Sequence, residues 1–319
     1  MAEGNGLGAT EENVLITVGD CSLTLLPRLG GKIASVCVKG RELLQAPLAP
    51  YGPRTQTMPF DAGDASGWDE CFPSVADCTV ETVAGAAHVP DHGDLWRVEW
   101  QPVVSSANSA TFRGQCFSLP LALERKVTLT ESAKGWRLSL GYKATNTGSI
   151  PSPWSWAVHP LFASGAGDRV VLPASIRTLR LEGSGGGRLG QGGDQVSWPI
   201  AKLVTGGETD LSVGLPPESG VGDKLFAGPL AAKENWCALE RPEVGVRIRF
   251  GFDPAVTPYL GLWICYGGWP DRPGTKQNCV AIEPATAPVD SLGKTGPWSR
   301  VLAPGESSSW PMIVDLESI

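Results

Sequence analysis

Histidine is scarce in this chain: 319 residues hold three, His88, His92 and His159. Imidazole changes charge nearest neutral pH, so three histidines leave few candidates for moving protons there. Charge is sparse too, at 18% of residues, and there are only four tyrosines. No apolar run approaches the roughly 18 residues of a membrane-spanning helix, and no segment sustains an i, i+3, i+4, i+7 apolar stripe over three turns. Those absences predict an overwhelmingly β chain with no membrane partner. Basic residues are in deficit, 26 Lys and Arg against 33 Asp and Glu, and the formal charge of −7 argues against a nucleic-acid partner. Met1 to Asn13 has neither the basic start nor the apolar core of an export signal, so a soluble, cytoplasmic protein is expected.

Apolar material is plentiful. Hydrophobic residues make up 42% of the chain, enough for a sizeable core, and 40 Gly with 27 Pro are spread along it, as many short strands joined by turns require. The length admits one large β domain or two smaller ones. Residues 1–12 are small and polar and read as a loose tail. Strands are expected at Val14 to Val18, Ser22 to Leu26 and Lys32 to Val38. The clearest pattern lies at Gly135 to Asn146, where Trp136, Leu138, Leu140 and Tyr142 alternate with Arg137, Ser139, Gly141 and Lys143. Further strands are expected at Trp96 to Val104, Ala110 to Leu119, Leu121 to Thr130, Ser155 to Val158 and Cys279 to Ile282. Residues 46–94 read as a mostly irregular loop system, long enough to imply a function. The eight cysteines are scattered through apolar runs without a C-x-x-C and read as buried thiols. Gly185-x-Gly187-x-x-Gly190 matches the dinucleotide fingerprint as a string. No helical pattern follows it, so it reads as a surface loop and implies no cofactor.

The residues able to do chemistry are few. His92 stands in Val89-Pro90-Asp91-His92-Gly93 and His159 in Trp156-Ala157-Val158-His159-Pro160. Glu283, in Ile282-Glu283-Pro284, should lie where Pro284 ends a buried strand, and a carboxylate half removed from water there can act as a general base. Asp69-Glu70 forms a second acidic pair. Each has a plain alternative: a core histidine, a turn histidine, an acid pairing with an arginine. Zinc accepts two histidines and a carboxylate, but no His-x-His or His-x₃-His spacing supports a site, so no metal is expected.

Taken together, Asp91-His92-Gly93, Asn146-Thr147-Gly148, His159-Pro160-Leu161-Phe162 and Ile282-Glu283-Pro284 resemble the aldose 1-epimerase (galactose mutarotase-like) superfamily, over about Val14 to Asp315. The resemblance implies a large antiparallel super β-sandwich with few or no helices, spanning residues 13–319 as one domain. It implies interconversion of the α and β anomers of a hexose or related sugar, without a cofactor, in a monomer or homodimer. Glu283 falls at the family's base and His159 at its acid, with His92 assisting. Asp223, in Gly222-Asp223-Lys224-Leu225-Phe226, falls where an acid grips sugar hydroxyls, and Trp68 and Trp263 offer rings for a pyranose face. The arginine that hexose-specific members carry after Phe72-Pro73 is absent. Asp69 and Glu70 stand just before that point, and Arg97 either replaces the contact or meets a sugar phosphate. A raised carboxylate and an imidazole near neutral would make a matched pair at pH 7. The rival readings are a non-catalytic carbohydrate-binding sandwich and, with less support, a glycoside lyase or hydrolase.

Overall fold

A computed structural model describes residues 13–319, so the tail at 1–12 lies outside the described residues. Within them the protein is built from strands, and the helical elements are four 3-10 turns of three residues each. The alternation at Gly135–Asn146 sends Trp136, Leu138, Leu140, Tyr142 and Ala144 into the core while most residues between them stay partly exposed. This strand pairs along its length with Leu121–Ser132 on one side and Ser307–Ser318 on the other. These three strands of 12 residues form the middle of an eight-stranded antiparallel sheet.

The second sheet has eleven strands and carries the site. Its central order runs from Lys32–Val38 through Trp68–Cys71, Ala157–Ala163, Asn278–Ala285 and Tyr259–Tyr266 to Val221–Ala227. Neighbours here come from distant parts of the chain. The inner faces of the two sheets share one hydrophobic cluster from Ile16 to Leu316, which includes Trp68, Phe162 and Phe250. The architecture is therefore the expected antiparallel β-sandwich.

Several local expectations change. The 46–94 stretch holds a central strand at Trp68–Cys71 and a hairpin of Cys78–Thr82 with Gly85–Val89, so it is less irregular than its Gly and Pro content suggests. Trp96 lies in a 3-10 turn, Leu95–Arg97, and the strand starts only at Gln101. The chain folds inward here because the Trp96 backbone packs on Gly30, where an added Cβ would stand 2.5 Å from the Trp96 Cα. The strand bearing His159 runs from Ala157 to Ala163, and the one bearing Glu283 continues to Ala285. Pro284 does not end it. All eight cysteines are free thiols, six of them buried, and burial pushes Cys21 up to about 12. No helix among the described residues is long and apolar enough to cross a membrane.

Candidate active site

His159 and Glu283 face each other across adjacent antiparallel strands. Ala157 pairs with Ala285 and Leu161 with Ala281, a register that places residue 159 opposite residue 283. Between those pairs the ladder carries no paired residues. Pro160 and Pro284 fall in that interval and have no N–H to donate, which fits an opening in the ladder at this point. His159 Nε2 lies 3.9 Å from Glu283 Oε1, and both side chains are almost wholly buried.

Lys224 completes the pair from two strands away. Its ammonium contacts Glu283 Oε2 and lies 3.5 Å from Asp290 Oδ1. The strand between them is Tyr259–Tyr266, where Gly261 stands opposite both Glu283 and Phe226. A Cβ on Gly261 would come within 3.0 Å of Glu283 Oε2 and 3.2 Å of its Cβ. A glycine at this register position leaves room for the lysine to reach over the strand.

Charge and burial set the state of each group. Burial pushes Glu283 above the usual carboxylate range, and Lys224 opposes that shift without cancelling it. Asp290 is raised for the same pair of reasons. Lys224 is held above its ordinary value, because Asp290 and Glu283 outweigh its burial. His159 is pushed well below the ordinary imidazole value, chiefly by burial and further by the neighbouring His92, Lys224 and Lys32. Its Nδ1 is buried without a partner. A second proton there would leave a buried donor unsatisfied, at about 1–3 kcal/mol, so His159 is neutral with its hydrogen on Nε2. The expectation of an imidazole titrating near pH 7 therefore fails at residue 159, because its ring has lost its water.

His92 enters from a loop over the same site. Its backbone sits at φ 59°, an uncommon conformation for a residue other than glycine. The following Gly93 packs so closely on the Phe72 backbone that a side chain would collide with it. The His92 ring stacks on Phe60 at 3.8 Å and meets His159 edge-on at 5.0 Å. Asp91 Oδ2 lies 2.8 Å from His92 Nδ1, leaving Nε2 as the ring nitrogen available to a ligand. Asp91 is held below its usual range, since His92 and its hydrogen bond outweigh burial.

These groups border a cavity of about 250 Å³, lined by Phe60, Asp91, His92, His159, Lys224 and Asp290 and walled by Trp263 and Trp269. Glu283 lies just behind His159 and Lys224, fully buried. Trp263 donates to Gln277 Oε1 at 2.9 Å, and Gln277 donates to the Ala65 carbonyl at 2.9 Å, so the ring is fixed.

Four of the nine candidate residues stand at this cavity or immediately behind it, and the other five do not line it. His92, His159, Glu283 and Trp263 are gathered at the cavity. Trp68 points between the sheets, packed on Phe162 and Phe250, and does not line it. Glu70, on the same side of its strand, is buried against Arg125, Tyr142 and Trp156. Asp69 points to the opposite side of that strand, where its Oδ2 pairs with Lys32, 2.5 Å away, and its Oδ1 lies 3.8 Å from Arg54 without a hydrogen bond; it does not line the cavity. Asp223 faces away from its neighbour Lys224. It binds Arg188 and Ser184 Oγ, which fastens the glycine-rich loop Gly183 to Asp194. Arg97 gives its guanidinium to the carbonyls of Met58, Asp91 and Gly93, stacks on Trp96 at 4.3 Å, and is pulled down to about 10 by burial. It holds the His92 loop and has no free face for a phosphate. Lys224, Asp290, Phe60 and Gln277 were not anticipated; the only signal was that Lys224 and Trp263 fall on one face once their strands are paired.

No family model and no curated protein matches the chain. Solved structures do. A galactose mutarotase-like protein from Lactobacillus casei is 19% identical, with a TM-score of 0.68 over 96% of this chain and 100% of that one. A galactose mutarotase related enzyme from Lactobacillus acidophilus is 15% identical, with a TM-score of 0.66 over 96% and 98%. An aldose epimerase homologue from C. elegans is 15% identical, with a TM-score of 0.63 over 97% and 99%. Likeness at that identity speaks for the fold, and the chain has the galactose mutarotase-like fold that its motifs resemble.

Proposed function

We propose that the protein is an aldose 1-epimerase-like isomerase that interconverts the anomers of a monosaccharide in the His92–His159–Glu283 cavity. The observation that carries the reading is the cross-strand His159–Glu283 pair, 3.9 Å apart beside a cavity of about 250 Å³. The two oxygens that exchange protons in mutarotation, the C1 hydroxyl and the ring oxygen, are bonded to one carbon. A base and a donor serving them must stand this close together. The cavity is smaller than the roughly 300–1,000 Å³ of sites for drug-sized ligands, which suits a single sugar ring.

Glu283 Oε1 takes the proton of the C1 hydroxyl as the C1–O5 bond breaks. The neutral His159 donates a hydrogen bond from Nε2 to the ring oxygen, much as a neutral imidazole polarises a substrate oxygen in other isomerases. His92, oriented by Asp91, hands the ring oxygen its proton. Rotation about C1–C2 turns the aldehyde, and the same transfers run backwards to close the other anomer. The resemblance gives the acid's part to His159; its burial and unpartnered Nδ1 favour His92 for delivery.

NMR magnetisation exchange between the anomers of D-glucose, D-galactose and their 6-phosphates tests the reading. The expected result is exchange faster with protein than in buffer for at least one free aldose, removed by Glu283→Gln. Exchange at the buffer rate for every sugar refutes it.

A further inference from the structure

We infer that Asp290 and Lys224 form the second half of the site and recognise the hydroxyl on the carbon next to the anomeric one, so that the substrates are aldoses with a free 2-hydroxyl. The inference rests on the sugar reading above and extends it to specificity.

Asp290 is a half-buried carboxylate that borders the cavity, and its Oδ1, itself shielded from solvent, lies 3.5 Å from the Lys224 ammonium without a hydrogen bond. Glu283 Oε1 is likewise unpartnered. Lys224 stands between the two acids, touching Glu283 Oε2 and 3.5 Å from Asp290 Oδ1. Two carboxylates flanking one ammonium, Asp290 at the cavity and Glu283 just behind it, form a set that adjacent hydroxyls satisfy: each hydroxyl donates to one carboxylate, and the lysine can donate back. A buried acceptor left without a donor is costly, so a ligand that brings donors to both is favoured over one that brings a donor to Glu283 alone.

The Asp290 backbone is fixed independently of its side chain. Its carbonyl accepts from the N–H groups of Val75, at 3.0 Å, and Ala76, at 2.8 Å. Its N–H donates to Glu182 Oε1 at 3.5 Å, and Glu182 is itself held by Lys294 at 3.0 Å. The backbone that carries the carboxylate is therefore held in place, and the motifs that led to His92, His159 and Glu283 do not contain Asp290. Asp91 is the other cavity acid, but its Oδ2 is taken by His92.

Ligand-observed NMR titration of wild type with D-glucose, D-galactose and their 2-deoxy analogues tests the inference, alongside Asp290→Ala and Asp290→Asn. Expected is affinity at least about tenfold higher for a parent sugar than for its 2-deoxy analogue, the value of one hydrogen bond to a charged group. The difference should vanish in Asp290→Ala and persist in part in Asp290→Asn, which keeps one acceptor. The wild-type comparison needs no variant to fold. Discrimination without anomer exchange supports Asp290 and refutes the isomerase. Exchange with equal affinity for parent and 2-deoxy sugars overturns the role of Asp290 and leaves the isomerase standing. Absence of binding by all four sugars overturns both.

Discussion

Replacing Lys224 with methionine should cost stability in a way that depends on pH, because it strands the buried Glu283 and the half-buried Asp290. In the native protein the ammonium meets Glu283 and lies 3.5 Å from Asp290, and Glu283 has no exposure. Removing one partner of such a buried pair costs about 3–5 kcal/mol when the remaining charge cannot be neutralised. For a chain of this size that corresponds to a fall in Tm of roughly 4–8 °C at pH 7–8. The sign follows from proton linkage. Both acids already sit above their unfolded values, 4.5 and 3.8, and losing the lysine pushes them higher. The folded variant then holds more protons than the unfolded chain, so its stability declines as pH rises from the unfolded values through the raised folded ones. Near pH 4 both carboxyls are mostly protonated when folded, and the deficit should shrink by more than half. Thermal unfolding of wild type and Lys224→Met at half-unit steps from pH 4 to pH 8 measures this. A deficit constant across that range would refute the reasoning, since lost packing of the lysine stem has no pH dependence.

Other substitutions separate the groups by role. His92→Asn and His159→Asn should each lower the anomer exchange rate by about 10²–10⁴, and His159→Asn should leave the pH dependence of the remaining rate unchanged, because burial already holds His159 neutral. Gly261→Ala should lower exchange at least about tenfold, since its Cβ would stand 3.0 Å from Glu283 Oε2 and displace the base. Arg125→Met should destabilise the fold by about 3–5 kcal/mol in chemical denaturation, leaving Glu70 buried beside Tyr142 and Trp156, while sugar affinity of the folded protein stays unchanged.

Some of this was legible in the residues. Period-two alternation identified the long strands and their buried faces, and it also implies that Trp68 and Glu70 share one side of their strand while Asp69 and Cys71 share the other. What alternation cannot say is which side meets a cavity. Trp68 and Glu70 face the other sheet, and Asp69, on the opposite side, is neutralised by a lysine 37 positions earlier. Pro284 looks like a strand end, yet it sits inside its strand, as Pro160 does in its own, where the ladder between the two carries no paired residues.

Composition and local pattern thus determined the β class, the strand faces and the three side chains offered for proton transfer. The tertiary structure decided the rest. His159 and Glu283 are 124 positions apart and meet only because the sheet order places their strands side by side. Lys224 reaches Glu283 only because Gly261 leaves the intervening strand bare. Burial, a property of the assembled sheets rather than of any segment, makes His159 neutral and raises Glu283.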